Sequence, residues 1–266
     1  LLAVNPNDLV KTAWFRKDFA DKSLDDLLTP IQSHDYDLPG IELPSDAQGI
    51  GVWARPELPS PGFTLWVRYR DSKGLYEHIP LGELASDQWQ YFEAEFPERL
   101  HLTPPYTPMA FYVSGGLRSL VGKGSLSVDD VTVTVGGRRF VVEDFETPQN
   151  WHVLPNLDAA QDRMVIAQEA AKSGSAGALF SWAYPLGGPP RGFFLSPVPF
   201  PVPAIGGPTF AKNQIVLGRI GVQAVAIEVH EVADLFPTLD PVKGPFLVMN
   251  IETLNSLQNS LPLPRR

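Results

Sequence analysis

The sequence contains no cysteine and only 3 methionines among its 266 residues. The absence of cysteine excludes disulfides, thiolate catalysis and cysteine-based zinc sites, but it leaves the cellular compartment open. Basic residues are also scarce, because 21 Lys and Arg stand against 30 Asp and Glu, for a formal net charge of -9. This average charge repels a phosphate backbone and no Lys/Arg cluster offsets it, which argues against nucleic acid as a partner.

Long apolar runs are missing as well. No stretch approaches the roughly 20 apolar residues that span a bilayer. The start of the sequence, Leu1-Leu2-Ala3-Val4-Asn5-Pro6, has neither the basic nor the apolar region of a signal peptide. Because position 1 is not Met, we expect a piece of a longer protein. A content of 44% hydrophobic residues is enough for a packed core.

Strand alternation is the strongest pattern that the sequence does contain. Apolar and polar residues alternate from Phe63 to Arg70, a polar turn follows at Asp71-Ser72-Lys73-Gly74, and a second strand runs from Leu75 to Leu81. Further alternation covers Gln88 to Phe92 and Leu126 to Val135. A period of two interrupted by Gly and Asp turns indicates half-buried antiparallel strands. Several such strands in succession predict a β-sandwich.

The two ends of the chain have a different character. Residues 7–32 predict helices, with Ser23 as one N-cap and Asn7 or Asp8 as another. From Phe210 onward the pattern is strand, loop and strand, and then a helix from Ile251 to Asn259. Because that single helix cannot cover the apolar strands, we expect the N-terminal helices to pack against them. The sandwich would then be inserted between the two ends of this unit.

The resulting fold class is mainly β, with a jelly-roll sandwich inserted in a small α+β unit made by the N-terminal helices and the C-terminal strands and helix. The predicted segments are an N-terminal helical segment at 1–35, the jelly roll at 36–142, a strand and Pro-rich connection with a partial repeat at 143–208, and the α+β unit at 209–266.

Aromatic side chains are the candidates for ligand contact, because exposed rings on a sandwich face can stack on sugars. For Trp66 and Trp89 we predict core positions. Tyr69 and Tyr76 flank the hairpin turn, where surface and core positions are equally open, and they are the predicted ligand-binding residues. Other aromatic residues on or near strands are Trp53, Tyr91 and Tyr112.

Two acidic groups invite a chemical interpretation. Asp129 and Asp130 lie in a strand, where alternation directs them to opposite faces, and one of them is a candidate ligand of a structural calcium ion. The alternative is that one Asp caps a turn or pairs with an Arg. Glu143, Asp144 and Glu146 form the second group; a glycosidase needs two facing carboxylates, but acids in this position are typical of a solvent-facing strand.

No other motif predicts catalysis. No two histidines have the i, i+4 spacing of a helical metal site, and Ser173-Gly174-Ser175-Ala176-Gly177 lacks the full nucleophile-elbow pattern. We therefore predict that the chain is not an enzyme and has no cofactor apart from the possible calcium ion. The histidines are His34, His78, His101, His152 and His230.

Several short sequence segments together resemble a known protein family. Near the start they are Trp14–Ala20 and Leu24–Leu28; in the middle, Val67–Gly74, Leu81-Gly82, Asp87–Trp89, Val128–Val133 and Val142–Glu146; and near the end, Phe236–Pro241 and Gly244–Val248. This combination resembles the large extracytoplasmic domain of ABC transporter permeases of the FtsX-like/MacB type. The middle segments also resemble galactose-binding-like and carbohydrate-binding jelly rolls, whereas Phe236–Pro241 is more specific for the permease family. The chain departs from the family at Leu217–Gly221, where a Gly-Asp turn would be typical, and in the Pro-rich stretch at Pro197–Pro208.

The resemblance implies a non-catalytic domain that lies outside the cytoplasm, tethered to the membrane by flanking transmembrane helices. Its partners would be the transmembrane part of the same permease, a cytoplasmic ATPase subunit, and an external protein, lipid or glycan. The domain would couple membrane motion to that external substrate or partner. The alternative function is a carbohydrate-binding module of a secreted or cell-surface protein, which predicts an exposed face with two or three coplanar aromatic rings.

Overall fold

The computed structural model describes residues 1–32, 41–97, 101–115, 123–147, 150–154, 161–183, 190–220 and 223–260; His34 lies outside these ranges. The helices are α1 (Pro6–Thr12), α2 (Leu24–Leu28) and α3 (Ile251–Ser260). The strands are β1 (Leu2–Val4), β2 (Gly49–Pro56), β3 (Phe63–Arg70), β4 (Tyr76–Glu83), β5 (Gln90–Glu95), β6 (Thr107–Gly115), β7 (Gly124–Val135), β8 (Arg138–Glu143), β9 (Trp151–Val153), β10 (Arg163–Ala167), β11 (Gly177–Trp182), β12 (Arg191–Leu195), β13 (Val202–Gly206), β14 (Ile215–Ile220), β15 (Gln223–Val232) and β16 (Leu247–Asn250).

Two antiparallel sheets form the sandwich. The front sheet has the order β10-β11-β7-β2-β5, with β8 paired to β7, and the back sheet has the order β4-β3-β6-β12-β9. Along β3 the odd-numbered residues from Phe63 to Tyr69 are buried and the even-numbered ones are half-buried, as the alternation predicts. One apolar cluster joins the two sheets, and its large members include Phe111, Phe180 and Phe193.

Two hairpin turns of the sandwich have clear local causes. Gly136 and Gly137 have φ values of 56° and 73°, the left-handed geometry of a two-residue hairpin, and they connect β7 to β8. At the turn after β3, the buried Asp71 carboxylate accepts hydrogen bonds from the backbone N–H groups of Leu75 (2.7 Å) and Thr103 (3.0 Å). These contacts fix the β3–β4 hairpin and lower the pKa of Asp71 against the opposing effect of burial.

Residues 143–208, predicted as a separate connection, are divided in the structure. Strands β10 and β11 extend the front sheet, β9 and β12 extend the back sheet, and β13 belongs to a third sheet. All five residues of β12 are buried, so this strand shows no alternation that the sequence analysis could recognise. The Pro-rich stretch follows β12 instead of interrupting the sandwich.

The third sheet, here called the terminal sheet, has the order β1-β16-β13-β15-β14. Its first strand comes from the start of the chain and pairs in parallel with β16, so that Leu2 lies opposite Val248. The buried residues Leu27, Leu28 and Phe236 belong to the apolar cluster beneath it. Within the described ranges, no helix has the length and apolar character needed to cross a bilayer.

The helix caps explain why the N-terminal segment folds where it does. Ser23 accepts a hydrogen bond from the Asp26 backbone N–H (3.2 Å) and begins α2, as predicted. The cap of α1 is Asn5, which accepts from the Asp8 backbone N–H (3.2 Å), so the prediction of Asn7 or Asp8 is wrong. Pro6 occupies the first helical position, where its missing N–H costs nothing, and this moves the helix start forward.

The chain therefore divides into two compact units. One unit, here called the terminal unit, consists of Leu1–Leu38 and Pro197–Asn259, and the other, the sandwich unit, is built on Pro39–Ser196. The predicted fold class, a mainly β protein with a sandwich inserted in a small α+β unit, is confirmed.

Candidate functional site

The outer face of the front sheet carries a cluster of aromatic and basic side chains. On β2, Ile50 and Val52 point into the core, so Trp53 and Arg55 point away from it. The pairing of β2 with β5 places Tyr91 opposite Trp53 on the same face. We call this cluster the aromatic–cation face; its members are Trp53, Arg55, Trp89, Tyr91, Arg139 and Lys172.

Each of the three rings on this face has its own cation. The Arg55 Cζ atom lies 5.0 Å from the centre of the Trp89 ring, and the Lys172 Nζ atom lies 4.5 Å from that of Trp53. Arg139 Cζ lies 4.2 Å from the Tyr91 ring centre. Such contacts are worth about 0.5–1 kcal/mol at exposed sites and they hold the long side chains in defined positions.

Tyr91 occupies its position because Gly51 has no side chain. A Cβ atom at residue 51 would lie 2.2 Å from the Tyr91 hydroxyl oxygen. Tyr91 passes over this glycine and its hydroxyl forms a 2.6 Å hydrogen bond with the Thr132 Oγ1 atom on β7. Burial raises the pKa of Tyr91, so its hydroxyl is neutral at physiological pH.

The three cations on this face differ in whether they have a carboxylate partner. Arg139 donates to Glu93 (2.6 Å), and this hydrogen bond is the main cause that lowers the pKa of Glu93. Arg55 donates to the backbone carbonyl of Glu169 (2.9 Å), while the Lys172 ammonium rests on Trp53. Within the described part of the chain, neither Arg55 nor Lys172 has a carboxylate at ion-pair distance. Two cations on this face therefore form no ion pair with another described residue.

A groove of about 1350 Å³ continues from the face at its Arg139 end. It shares Glu93, Thr134 and Arg139 with the region around Tyr91. Its other lining residues include Gln48 and Phe96. Face and groove together form a long surface with apolar rings, cations and hydrogen-bonding groups.

The two tyrosines predicted to bind ligand do not come together. Tyr69 is fully buried and makes edge contacts with Phe96 (5.1 Å) and Tyr106 (5.4 Å). Of the surface and core positions that the sequence left open it takes the core, so the predicted ligand contact is wrong for this residue. Tyr76, the first residue of β4, lies opposite Arg70 of β3 and is half-buried. A role of Tyr76 in binding stays a prediction.

The predicted core positions of Trp66 and Trp89 are also wrong. Trp66 lies between the buried Leu65 and Val67 on β3 and points to the outer side of the back sheet, where it stacks on Tyr112 with ring centres 6.2 Å apart. Trp89 is half-buried beneath Arg55. The alternation along β3 indicated this outward position of Trp66, because its neighbours on both sides are inward-facing residues.

Asp129 and Asp130 do not point to opposite faces as the strand pattern predicts. The pairing of β2 with β7 shifts register at this point, and Asp130 has a φ of 47°, which is typical of a bulge. Both carboxylates therefore reach one loop. Asp129 accepts from the backbone N–H groups of Lys172 (2.6 Å) and Ser173 (3.0 Å), and Asp130 accepts from the Ser173 hydroxyl (2.8 Å).

These contacts match the capping alternative for Asp129, whose oxygens are occupied by N–H donors. Burial raises the pKa of this carboxyl group despite the three backbone hydrogen bonds that lower it. Among the residues that the structure describes, no group of three or more His, Cys, Asp or Glu side chains is arranged to hold a metal ion. Calcium binding by Asp129 or Asp130 stays a prediction.

The second acidic group also anchors backbone. Glu143 is buried, contrary to the expectation of a solvent-facing residue, and accepts from the Phe145 N–H (2.9 Å) and Trp151 Nε1 (3.2 Å). Burial raises the pKa of Glu143. Glu146 accepts from the backbone N–H of Ser175 (2.6 Å). Glu143 and Glu146 thus bind separate chain segments.

The acidic anchors have a consequence for the aromatic–cation face. Asp129, Asp130 and Glu146 together hold the loop at residues 172–176. Because Lys172 is fixed at its backbone by Asp129, its ammonium is directed onto Trp53. This contact joins distant parts of the chain through a bulge, and the sequence analysis missed it.

Comparison of the chain with protein-family models, curated proteins and solved structures found no match.

Proposed function

We propose that this chain is a non-catalytic extracytoplasmic domain of an ABC transporter permease, which couples motion of the membrane part to an external substrate or partner. The observation that carries the proposal is the parallel pairing of β1 with β16. It places the segments on either side of the inserted sandwich next to each other in one sheet. Such an arrangement suits a domain that is connected to the membrane part through both of these segments.

The terminal unit has the contacts that coupling requires. Glu231 accepts from Lys22 (2.8 Å) and from Lys212 (2.9 Å), so one carboxylate joins the N-terminal segment to the strands that follow the sandwich. The Asn250 side chain donates to the Ile31 carbonyl (3.0 Å) within the buried interior. Movement imposed on either segment is therefore shared by the whole unit, and the sandwich provides the body that meets the partner.

The absence of a catalytic role is part of the same proposal. The buried carboxylates of Asp129 and Glu143 are used to hold backbone N–H groups. In the described residues, these two side chains anchor separate segments and offer no facing acid–base pair.

A single introduced cysteine tests the location. Leu58 is 57% exposed in the sandwich unit, and this segment of the protein contains no cysteine of its own. In the full-length protein in its native membrane, Leu58→Cys should react with a membrane-impermeant maleimide in intact cells as completely as after permeabilisation. Leu28→Cys, at a position with 0% exposure, is the matched control that should react only after denaturation. Labelling of Leu58→Cys only in permeabilised cells would contradict the proposal.

A carbohydrate-binding module is the second candidate, and the three rings of the aromatic–cation face favour it. The Trp53 and Tyr91 rings lie 5.4 Å apart but are tilted by 56°, so they are not the coplanar pair that this function predicts. Isothermal titration against a panel of neutral and charged glycans tests this candidate. Uniformly absent binding would remove it without affecting the permease proposal.

A further inference from the structure

We propose that the aromatic–cation face and the adjoining groove form a binding site for an acidic polysaccharide, a polymer of uronic acids. This inference does not depend on the permease proposal, because the site lies wholly on the sandwich unit. It rests on the carbohydrate-binding candidate and narrows it to an anionic polymer; equal binding of an uncharged polymer would remove the inference and leave that candidate standing.

Charge complementarity is the first argument. In a chain with a net charge of -9, Arg55 and Lys172 are two cations on one face without carboxylate partners among the described residues. Among the neighbouring acids, Glu93 is engaged by Arg139, and Asp129 and Asp130 accept from the loop that carries Lys172. Glu95 lies at the groove end, away from these two cations along β2 and β5. A ligand that carries its own carboxylates supplies the missing partners, and charge-assisted hydrogen bonds to them are stronger than neutral ones.

Preorganisation is the second argument. Arg55 is held by the Glu169 carbonyl and the Trp89 ring, and Lys172 by its anchored backbone and the Trp53 ring. Ordering a long side chain on binding costs about 0.5–1.5 kcal/mol, and a side chain that is already ordered avoids much of this cost.

The length of the surface favours a polymer over a single sugar. Arg55 lies at one end of the exposed side of β2, and Gly49, which lines the groove, lies at the other. At a rise of about 3.4 Å per residue, these two positions are about 20 Å apart. Groove groups such as Gln48 and Thr134 offer hydrogen-bonding atoms for sugar hydroxyls along this path.

A nucleic acid is a poorer occupant of the same surface. It carries one negative charge per nucleotide, and its affinity depends on neutralising many of them. Two cations without a carboxylate partner among the described residues, in a chain of net charge -9, are too few for this. They suffice for a ligand whose binding also uses hydroxyl contacts along the groove.

The test is isothermal titration of the 266-residue chain with polygalacturonate at low ionic strength. The matched ligand is the same polymer after its carboxylates have been reduced to alcohols, and single-stranded DNA is the competing polyanion. The variants are Lys172→Gln, Arg55→Gln and their combination. Lys243→Gln, an exposed lysine in the terminal unit, is the control for loss of one charge elsewhere.

We expect polygalacturonate to bind, the reduced polymer to bind at least tenfold more weakly, and added salt to weaken the interaction. Each single variant should lose roughly tenfold in affinity, since one charge-assisted contact is removed. Lys243→Gln should bind like the unmodified chain. Equal affinity for the reduced polymer, tighter binding of DNA, or no binding at all would overturn the inference, and so would unchanged affinity in Lys172→Gln. Thermal unfolding midpoints of all variants separate lost binding from lost folding; cysteine labelling in cells remains an independent test of the permease proposal.

Discussion

The sandwich unit and the terminal unit reach stability in different ways. The sandwich is built from one continuous segment, with hairpins such as β3–β4 and β7–β8, and its core contains large aromatic residues such as Phe111 and Phe193. The terminal unit is assembled from two distant segments, with Leu2 opposite Val248, over a smaller core that includes Leu28. Because closing a long loop costs entropy, we expect the terminal unit to form more readily once the intervening chain has folded. The sandwich, built from one segment, should not depend on the terminal unit in this way.

Phe193→Ala should give the largest effect. Phe193 is 1% exposed and contacts Trp151 (5.2 Å) and Phe111 (5.9 Å). Removing the ring should lower the free energy of unfolding by about 3–5 kcal/mol. Since the terminal unit depends on the folded sandwich, hydrogen exchange should become faster in both units. Unchanged protection of the β1 and β16 amides would contradict this dependence.

Leu28→Ala makes the reciprocal test. Leu28 is 0% exposed in the core of the terminal unit, and its truncation should cost about 3 kcal/mol. Here exchange should accelerate only in the terminal unit, because the sandwich folds without it. Equal loss of protection in β3 and β6 would show that the two units unfold as one, and the contrast between them would be lost.

Gly51→Ala examines the outer face of the sandwich, away from its core. The added methyl group meets the Tyr91 hydroxyl oxygen at 2.2 Å, so Tyr91 must move and lose its contact with Thr132. We expect a loss of about 2 kcal/mol in the free energy of unfolding. In a Tyr91→Ala background, the same substitution should cost much less, which a double-mutant cycle by urea unfolding measures. Equal costs in both backgrounds would locate the clash elsewhere.

Glu231→Gln should give the smallest effect, confined to the terminal unit. Hydrogen bonds from Lys22 and Lys212 lower the pKa of Glu231 from its ordinary value of 4.5. Its ionised form therefore stabilises the folded state above the unfolded pKa, and this contribution is lost as the pH falls through the lowered folded pKa. The variant should be less stable by under about 1 kcal/mol at pH 7 and equal to the unmodified chain once the carboxyl is protonated. A difference in the free energy of unfolding that persists at acid pH would show that the substitution acts through packing and not through the charge.

Much of the fold could be predicted because it depends on local pattern. Alternation from Phe63 to Arg70, the turn that begins at Asp71 and the Ser23 cap each have a local physical cause, and the structure has all three. Strand β12, with every residue buried, gave no such signal. For the same reason, residues 143–208 were not predicted to contribute strands to the sandwich. A strand that is buried on both faces cannot be identified by periodicity alone.

The candidate site was harder to predict because it depends on register and on long-range contacts. The inward position of Tyr69 does follow from the alternation in β3, because Tyr69 shares its parity with Phe63, Leu65 and Val67. The bulge at Asp130 could not be read from the sequence, and without it Asp129 has no reason to bind the loop that carries Lys172. Of this face, the sequence analysis named the three rings, Trp53, Trp89 and Tyr91, but none of the cations that cover them.

The pairing of β1 with β16 also determines what happens when the chain is pulled. Because these strands run parallel, tension applied ahead of β1 and beyond β16 loads their three residue pairs in shear, so that they must yield together. The sandwich lies inside the closed loop that this pairing defines and bears no load until the pairing breaks. A pull on the two ends is thus resisted first by the three residue pairs between β1 and β16. Until these pairs separate, the surface proposed to bind polysaccharide keeps its shape.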